Sequence, residues 1–127
     1  MHADLASSAA DALLGSGAPA EVRERLIGTL SGLRPASYLK TVQAMIAQDA
    51  LGALEDVNVP VLVIAGESDR LSPVSMAEQM ARRLPNSTLA IIAGAGHMTN
   101  MERPVAFNDV LTRFLAAHAG RASRGPR

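Results

Sequence analysis

Cysteine is absent from the 127 residues, which excludes disulfides, thiol nucleophiles and thiolate metal sites and fits a reducing compartment. A surplus of either charge is missing as well. Twelve basic residues balance twelve acidic ones, so no net field draws the chain to nucleic acid, to an anionic membrane surface or to a charged polymer. No apolar run approaches the roughly 20 residues of a membrane helix. The start, MHADLASSAADALLGSG, lacks the basic and then apolar stretches of a secretory signal. The expectation is a cytoplasmic protein with no nucleic-acid or membrane partner. Lysine is scarce, one against eleven arginines, and that bias carries no functional weight. The three histidines, His2, His97 and His118, show no HxxxH or HxH spacing, so no metal site is expected. Gly94 and Gly96 form a GxG, but Thr99 stands where GxGxxG needs its third glycine, and no P-loop pattern occurs. No cofactor is expected.

What remains is 48% hydrophobic, enough to build the core of one domain or part of one. Residues 1–58 read as a helical segment. Val22, Leu26, Leu30 and Leu33 mark one amphipathic face, and Tyr38, Val42, Met45 and Ile46 mark another after Pro35. Between the first helices, GSGAP at 15–19 reads as a turn.

From residue 59 the pattern changes. VPVLVIAG, 59–66, is a short, β-branched apolar run ended by glycine, and it predicts a buried parallel strand. Ser72 and Pro73 suit the N-cap and first position of a helix with Met76, Ala77, Met80, Ala81 and Leu84 on its core side. TLAIIAGAG, 88–96, predicts a second buried strand and a small-residue loop. Pro104 then opens a last helix, whose core face is Phe107, Val110, Leu111, Phe114 and Leu115. The segment 59–118 is therefore strand, helix, strand, helix, with two parallel neighbouring strands expected. The tail, 119–127, is expected to be disordered.

Functional side chains of open parallel sheets gather past the carboxyl ends of the strands. Asp69, in GESDR, and His97, in GAGH, are the titratable residues placed there. Adjacent strands lie about 4.8 Å apart, so the two loops can bring carboxylate and imidazole within hydrogen-bond reach. Such a carboxylate fixes the imidazole tautomer, which frees the other ring nitrogen to take a proton. Blander roles stand beside this one: a satisfied polar loop histidine for His97, an Asx-turn for Asp69 and a solvated side chain for Arg70. Glu102 is expected to cap the helix opening at Pro104, and His118 to serve the C-terminus of that helix.

Taken together, VPVLVIAGESD and AIIAGAGHMTNMERPVAFNDVLTRFL resemble the C-terminal half of an α/β-hydrolase across residues 35–118. The resemblance implies an α/β fold, with Asp69 as triad acid and His97 as triad base. It also makes the first 34 residues similar to part of a helical cap. The form HMTNMERPVAFN resembles enol-lactonase and small-ester hydrolase members of the family, so the implied substrate of the complete enzyme is a small ester or lactone. The family's serine sits on a G-x-S-x-G elbow upstream of the acid. None of the ten serines here has glycine two residues away on both sides, and the nearest, Ser68, meets Arg70 instead of the second glycine. The expectation is a C-terminal hydrolase fragment, inactive alone, whose partner is an N-terminal hydrolase half. The alternative is a non-catalytic fragment or interaction subunit that docks on another chain.

Overall fold

A computed structural model describes residues 3–46 and 51–119. His2 and the tail from 120 onward lie outside the described residues, as do the side chains of Val42, Met45 and Ile46. Three helices come first, α1 (Ala3–Leu13), α2 (Ala20–Ser31) and α3 (Pro35–Ile46), followed by a 3-10 helix over Leu51–Asp56. Then come β1 (Val61–Gly66), α4 (Val74–Arg83), β2 (Ser87–Ile92), the single turn α5 (Thr99–Glu102) and α6 (Pro104–His118). None of the described helices is long and apolar enough to cross a membrane.

The two strands pair in parallel, in register from Val61 opposite Ser87 to Gly66 opposite Ile92. The parallel pairing follows from the chain between them, because a helical crossover returns the chain to the same end of the sheet. Two separate apolar cores result. In the first, Ala6, Ala10 and Leu14 of the α1 side meet Leu26 and Leu30 of α2. The alanines let the helices approach closely, and burial of each leucine is worth about 2 kcal/mol. In the second, Val63 and Ala65 of β1 pack on Ala77 and Leu84.

Burial is thinner elsewhere than the sequence pattern implies. Of α4's expected core side, Met76 is 51% exposed and Met80 36% exposed. Their wall, with the whole of β1 from Val61 to Gly66, lines an open cleft of about 350 Å³. In β2 only Ile92 is buried, while Ile91 faces solvent. No residue of α6 is buried, and Leu115 is 57% exposed. The amphipathic periods are present in the helices, but among the described residues β1 has a strand on one side only. Parallel strands ordinarily need covering layers on both faces.

Ser72 lies one position too early to cap α4. Pro73 occupies the N-cap position, and its carbonyl accepts the Met76 N–H at 2.8 Å.

Candidate active site at the carboxyl end of the sheet

The loops leaving β1 and β2 at the same sheet end are joined along their backbones. The N–H of Glu67 donates to the Ile92 carbonyl at 3.0 Å and that of Ser68 to the Ala95 carbonyl at 2.8 Å, while the Glu67 carboxylate accepts the Gly94 N–H at 2.8 Å. Two glycines are needed for this approach. A Cβ on Gly66 would strike the carbonyl oxygens of Ala95 and Gly96. Gly94 adopts φ +64°, the left-handed region where a side chain is strained.

The joined loops bring Asp69 and His97 together. His97 Nδ1 lies 2.8 Å from Asp69 Oδ2. The other carboxylate oxygen, Oδ1, accepts the N–H groups of Leu71 and Ser72, both at 2.9 Å. The Asx-turn and the imidazole contact therefore coexist, one oxygen to each. The Asp69 side chain is 6% exposed and that of His97 36%, so the acid is enclosed and the ring is open to a reactant. Burial pushes the Asp69 carboxyl up, but the Ser72 N–H, the His97 imidazole and the Leu71 N–H outweigh it and hold the group below its ordinary 3.8. A carboxylate so held stays ionised, and it accepts a hydrogen bond from Nδ1–H when Nε2 is the free nitrogen.

The same end of the sheet carries two features that the linear reading missed. Glu102 does not cap α6, whose N-cap is Arg103 without a side-chain bond. Its side chain is 2% exposed and turns back into the loop, where Oε2 accepts the N–H of Gly15 at 2.9 Å and Oε1 that of Gly96 at 3.0 Å. Arg70 is exposed yet reaches α1, donating to the Asp11 carbonyl at 3.3 Å. The helical segment is thus tied to the Asp69 loop through Arg70, and to the histidine loop through Glu102 and through the His97 N–H, which donates to the Leu13 carbonyl at 2.8 Å. Met98, next in sequence, packs against the α1–α2 core.

Away from this end, His118 stabilises the last turn of α6: its Nδ1 lies 2.8 Å from the Phe114 carbonyl and its ring 4.4 Å from the Phe114 ring. Asp11 and Arg23 join α1 to α2 through two bonds of 2.7 and 2.9 Å. The Arg23 hydrogen bond holds the Asp11 carboxyl below its usual value. Among the described residues no group of three or more histidine or acidic side chains is arranged to hold a metal ion.

Comparison with known proteins agrees with this architecture. Residues 9–104 match the family of the alpha/beta hydrolase fold, so the chain belongs to that family. It is 35% identical over 111 residues to the Caulobacter sp. (strain K31) protein named "Putative carbamate hydrolase RutD", an alignment spanning 87% of this chain and 41% of that protein. The 3-oxoadipate enol-lactonase 2 of Acinetobacter baylyi is 32% identical over 95 residues, 75% of this chain and 35% of the lactonase. A thermophilic esterase from Thermogutta terrifontis superposes with a TM-score of 0.83 at 25% identity, covering 90% of this chain and 43% of the esterase. The chain thus spans about two-fifths of the length of these three relatives. The expected class, an α/β fold corresponding to a C-terminal portion of the hydrolase sheet with flanking helices, is the one found.

Proposed function

We propose that this chain carries the acid and the base of a serine hydrolase that opens small esters or lactones, the serine residing outside these 127 residues. The observation that supports this most directly is the 2.8 Å contact between Asp69 and His97 at the carboxyl ends of adjacent parallel strands. The relatives named as an enol-lactonase and an esterase point to the substrate class. The carbamate hydrolase relative has a name that extends it to a neighbouring carbonyl chemistry.

In this reading Asp69 accepts from Nδ1 and thereby fixes the tautomer in which Nε2 is free. Nε2 takes the proton of the serine hydroxyl as its oxygen attacks the substrate carbonyl carbon, and the imidazolium is stabilised by the carboxylate. The proton then passes to the leaving oxygen as the acyl–oxygen bond breaks, and water repeats the sequence to release the acid. Helices α1 and α2 serve as part of a cap over the site, α3 as a connecting helix, and the cleft along β1 as the seat of the missing strand. The competing reading, a non-catalytic subunit docking on another chain, draws on that same uncovered strand.

The test is hydrolysis of p-nitrophenyl acetate by the chain alone and by the chain co-expressed with an N-terminal α/β-hydrolase half bearing a G-x-S-x-G elbow. The chain alone is expected to match its His97→Ala variant. The assembled pair is expected to turn over, with His97→Ala lowering kcat by about 10⁶-fold and Ser68→Ala leaving it unchanged. Turnover by the chain alone that disappears in Ser68→Ala would overturn the proposal, as would an assembled pair indifferent to His97.

A further inference from the structure

A buried carboxylate that forms no ion pair among the described residues calls for a reason. Glu102 is 2% exposed, and the groups that satisfy it are the N–H of Gly15, 2.9 Å from Oε2, and the N–H of Gly96, 3.0 Å from Oε1 and 3.1 Å from Oε2. Enclosing a carboxylate is costly unless its oxygens are bonded, and backbone N–H donors are among the strongest partners available to an anion. Gly96 immediately precedes His97, while Gly15 follows the C-terminus of α1, 87 residues away from Glu102.

The two glycines leave no slack. A Cβ on Gly15 would stand 2.9 Å from the Gly96 nitrogen and 3.1 Å from Glu102 Oε2, and a Cβ on Gly96 would strike the Gly15 nitrogen and the Leu14 carbonyl carbon. Further contacts lock the same junction: the His97 N–H on the Leu13 carbonyl at 2.8 Å, and the Arg103 guanidinium, which donates to the Glu102 carbonyl at 2.9 Å and reaches the Gly17 carbonyl at 3.4 Å. The backbone leading into the His97 Cα is therefore held twice, at the Gly96 N–H by Glu102 and at the His97 N–H by the last residue of α1. The ring is then free to turn only about its own side-chain torsions, and within that range it meets Asp69.

We propose that Glu102 is a positioning residue for His97: by receiving the N–H groups of Gly15 and Gly96 on one buried carboxylate, it locks the imidazole-bearing loop onto the turn between α1 and α2 and so holds Nδ1 against Asp69. Docking of the helical pair and alignment of the base become a single event. The assignment of His97 as a base rests on the function proposed above, whereas the geometric lock is a property of this chain.

The test reads the two separately. Magic-angle-spinning ¹⁵N spectra of histidine-labelled chain, which tolerate an oligomeric sample, report the tautomer of His97 after subtraction of the His97→Asn spectrum. Wild type is expected to show one Nδ1-protonated species. Glu102→Ala is expected to give a mixture of tautomers, with the His118 signal unchanged and, in a parallel uniformly ¹³C,¹⁵N-labelled sample, the strand signals unchanged. Glu102→Gln is expected to restore most of the single species, because its one carbonyl oxygen, placed at the Oε2 position, reaches both glycine N–H groups. A Glu102→Ala spectrum identical to wild type would overturn the proposal. So would loss of the strand signals in both variants, which would make Glu102 a residue of the fold alone.

In the pair assembled with an N-terminal half, Glu102→Ala is expected to lower kcat by about 10²-fold with KM little changed, the signature of a displaced reacting group. An inactive wild-type pair would count against the hydrolase reading and would leave the ¹⁵N result standing on its own.

Discussion

At the carboxyl end of the sheet Glu102 is 2% exposed with both oxygens bonded, whereas on the flank α6 buries no side chain and Leu115 remains 57% exposed. The loop end is closed by short polar contacts: the N–H groups of Gly15 and Gly96 on Glu102, that of His97 on the Leu13 carbonyl and that of Ser68 on the Ala95 carbonyl. The flanks show the reverse: amphipathic helices of correct period, with little against their apolar sides. The polar contacts that join the loops at this end are satisfied by the residues at hand, because each donor needs only one nearby acceptor. Apolar burial needs whole layers, and a two-stranded sheet supplies few of them.

Gly96→Ala attacks the closed end. The new methyl group would collide with the Gly15 nitrogen and the Leu14 carbonyl carbon, both backbone atoms that cannot swing away. A loss of about 3 kcal/mol is expected in urea unfolding, together with release of α1 from the histidine loop in hydrogen exchange. An unchanged midpoint would mean that the junction is looser than these distances imply.

The open flank is tested by association. Among the described residues no strand pairs with the side of β1 away from β2, and its side chains are uncharged, a template for pairing with another chain. In size-exclusion chromatography the wild-type chain is expected to elute as oligomers, and Ile64→Lys to move a substantial fraction to monomer. A monodisperse wild-type monomer with a sharp thermal transition would show that the flanks need no further layers.

Acid separates the two regions more gently. Asp69 is held below 3.8 in the folded chain, against burial, by its two N–H donors and His97. A group whose folded value is depressed binds its proton more readily when unfolded, so its stabilising contribution is present above pH 3.8 and declines as pH falls toward the depressed value. The stability gap between wild type and Asp69→Asn is expected to narrow below about pH 4, measured by urea unfolding across that range. A gap independent of pH would place the stabilisation in packing rather than in the charge.

The smallest effect is expected at Gly28, in the interior of α2, where a Cβ meets nothing within 4 Å. Gly28→Ala should raise stability by about 0.5–1 kcal/mol through helix propensity alone, visible as a small rise in Tm. It is the counterpart of Gly96→Ala: the same change of residue, opposite in sign, because one glycine faces space and the other faces backbone.

Element type was largely legible in the chain. The run VLVIAG announced β1 by its β-branched density, and the steps Val22, Leu26, Leu30 announced the buried side of α2, of which Leu26 and Leu30 are in the core. Asp69 and His97 were legible as neighbours because each follows a strand, and parallel strands deliver their loops to one edge. Periodicity was misleading at Met76, Met80 and Leu115. A helical period records which side of a helix is apolar, and says nothing of whether a layer is present to cover it.

Glu102 marks where linear reading ended. Its distance from Pro104 suggested a helix cap, an interaction local in sequence. The fold gave it Gly15 and Gly96 instead, the first of them 87 residues away. Helices, strands and the order of the acid and the histidine follow from forces between chain neighbours: hydrophobic period, β-branching, proline and glycine at the ends. The partner of a buried carboxylate follows from which backbone amides two loops present when pressed together without side chains between them, and that is set by packing across the molecule.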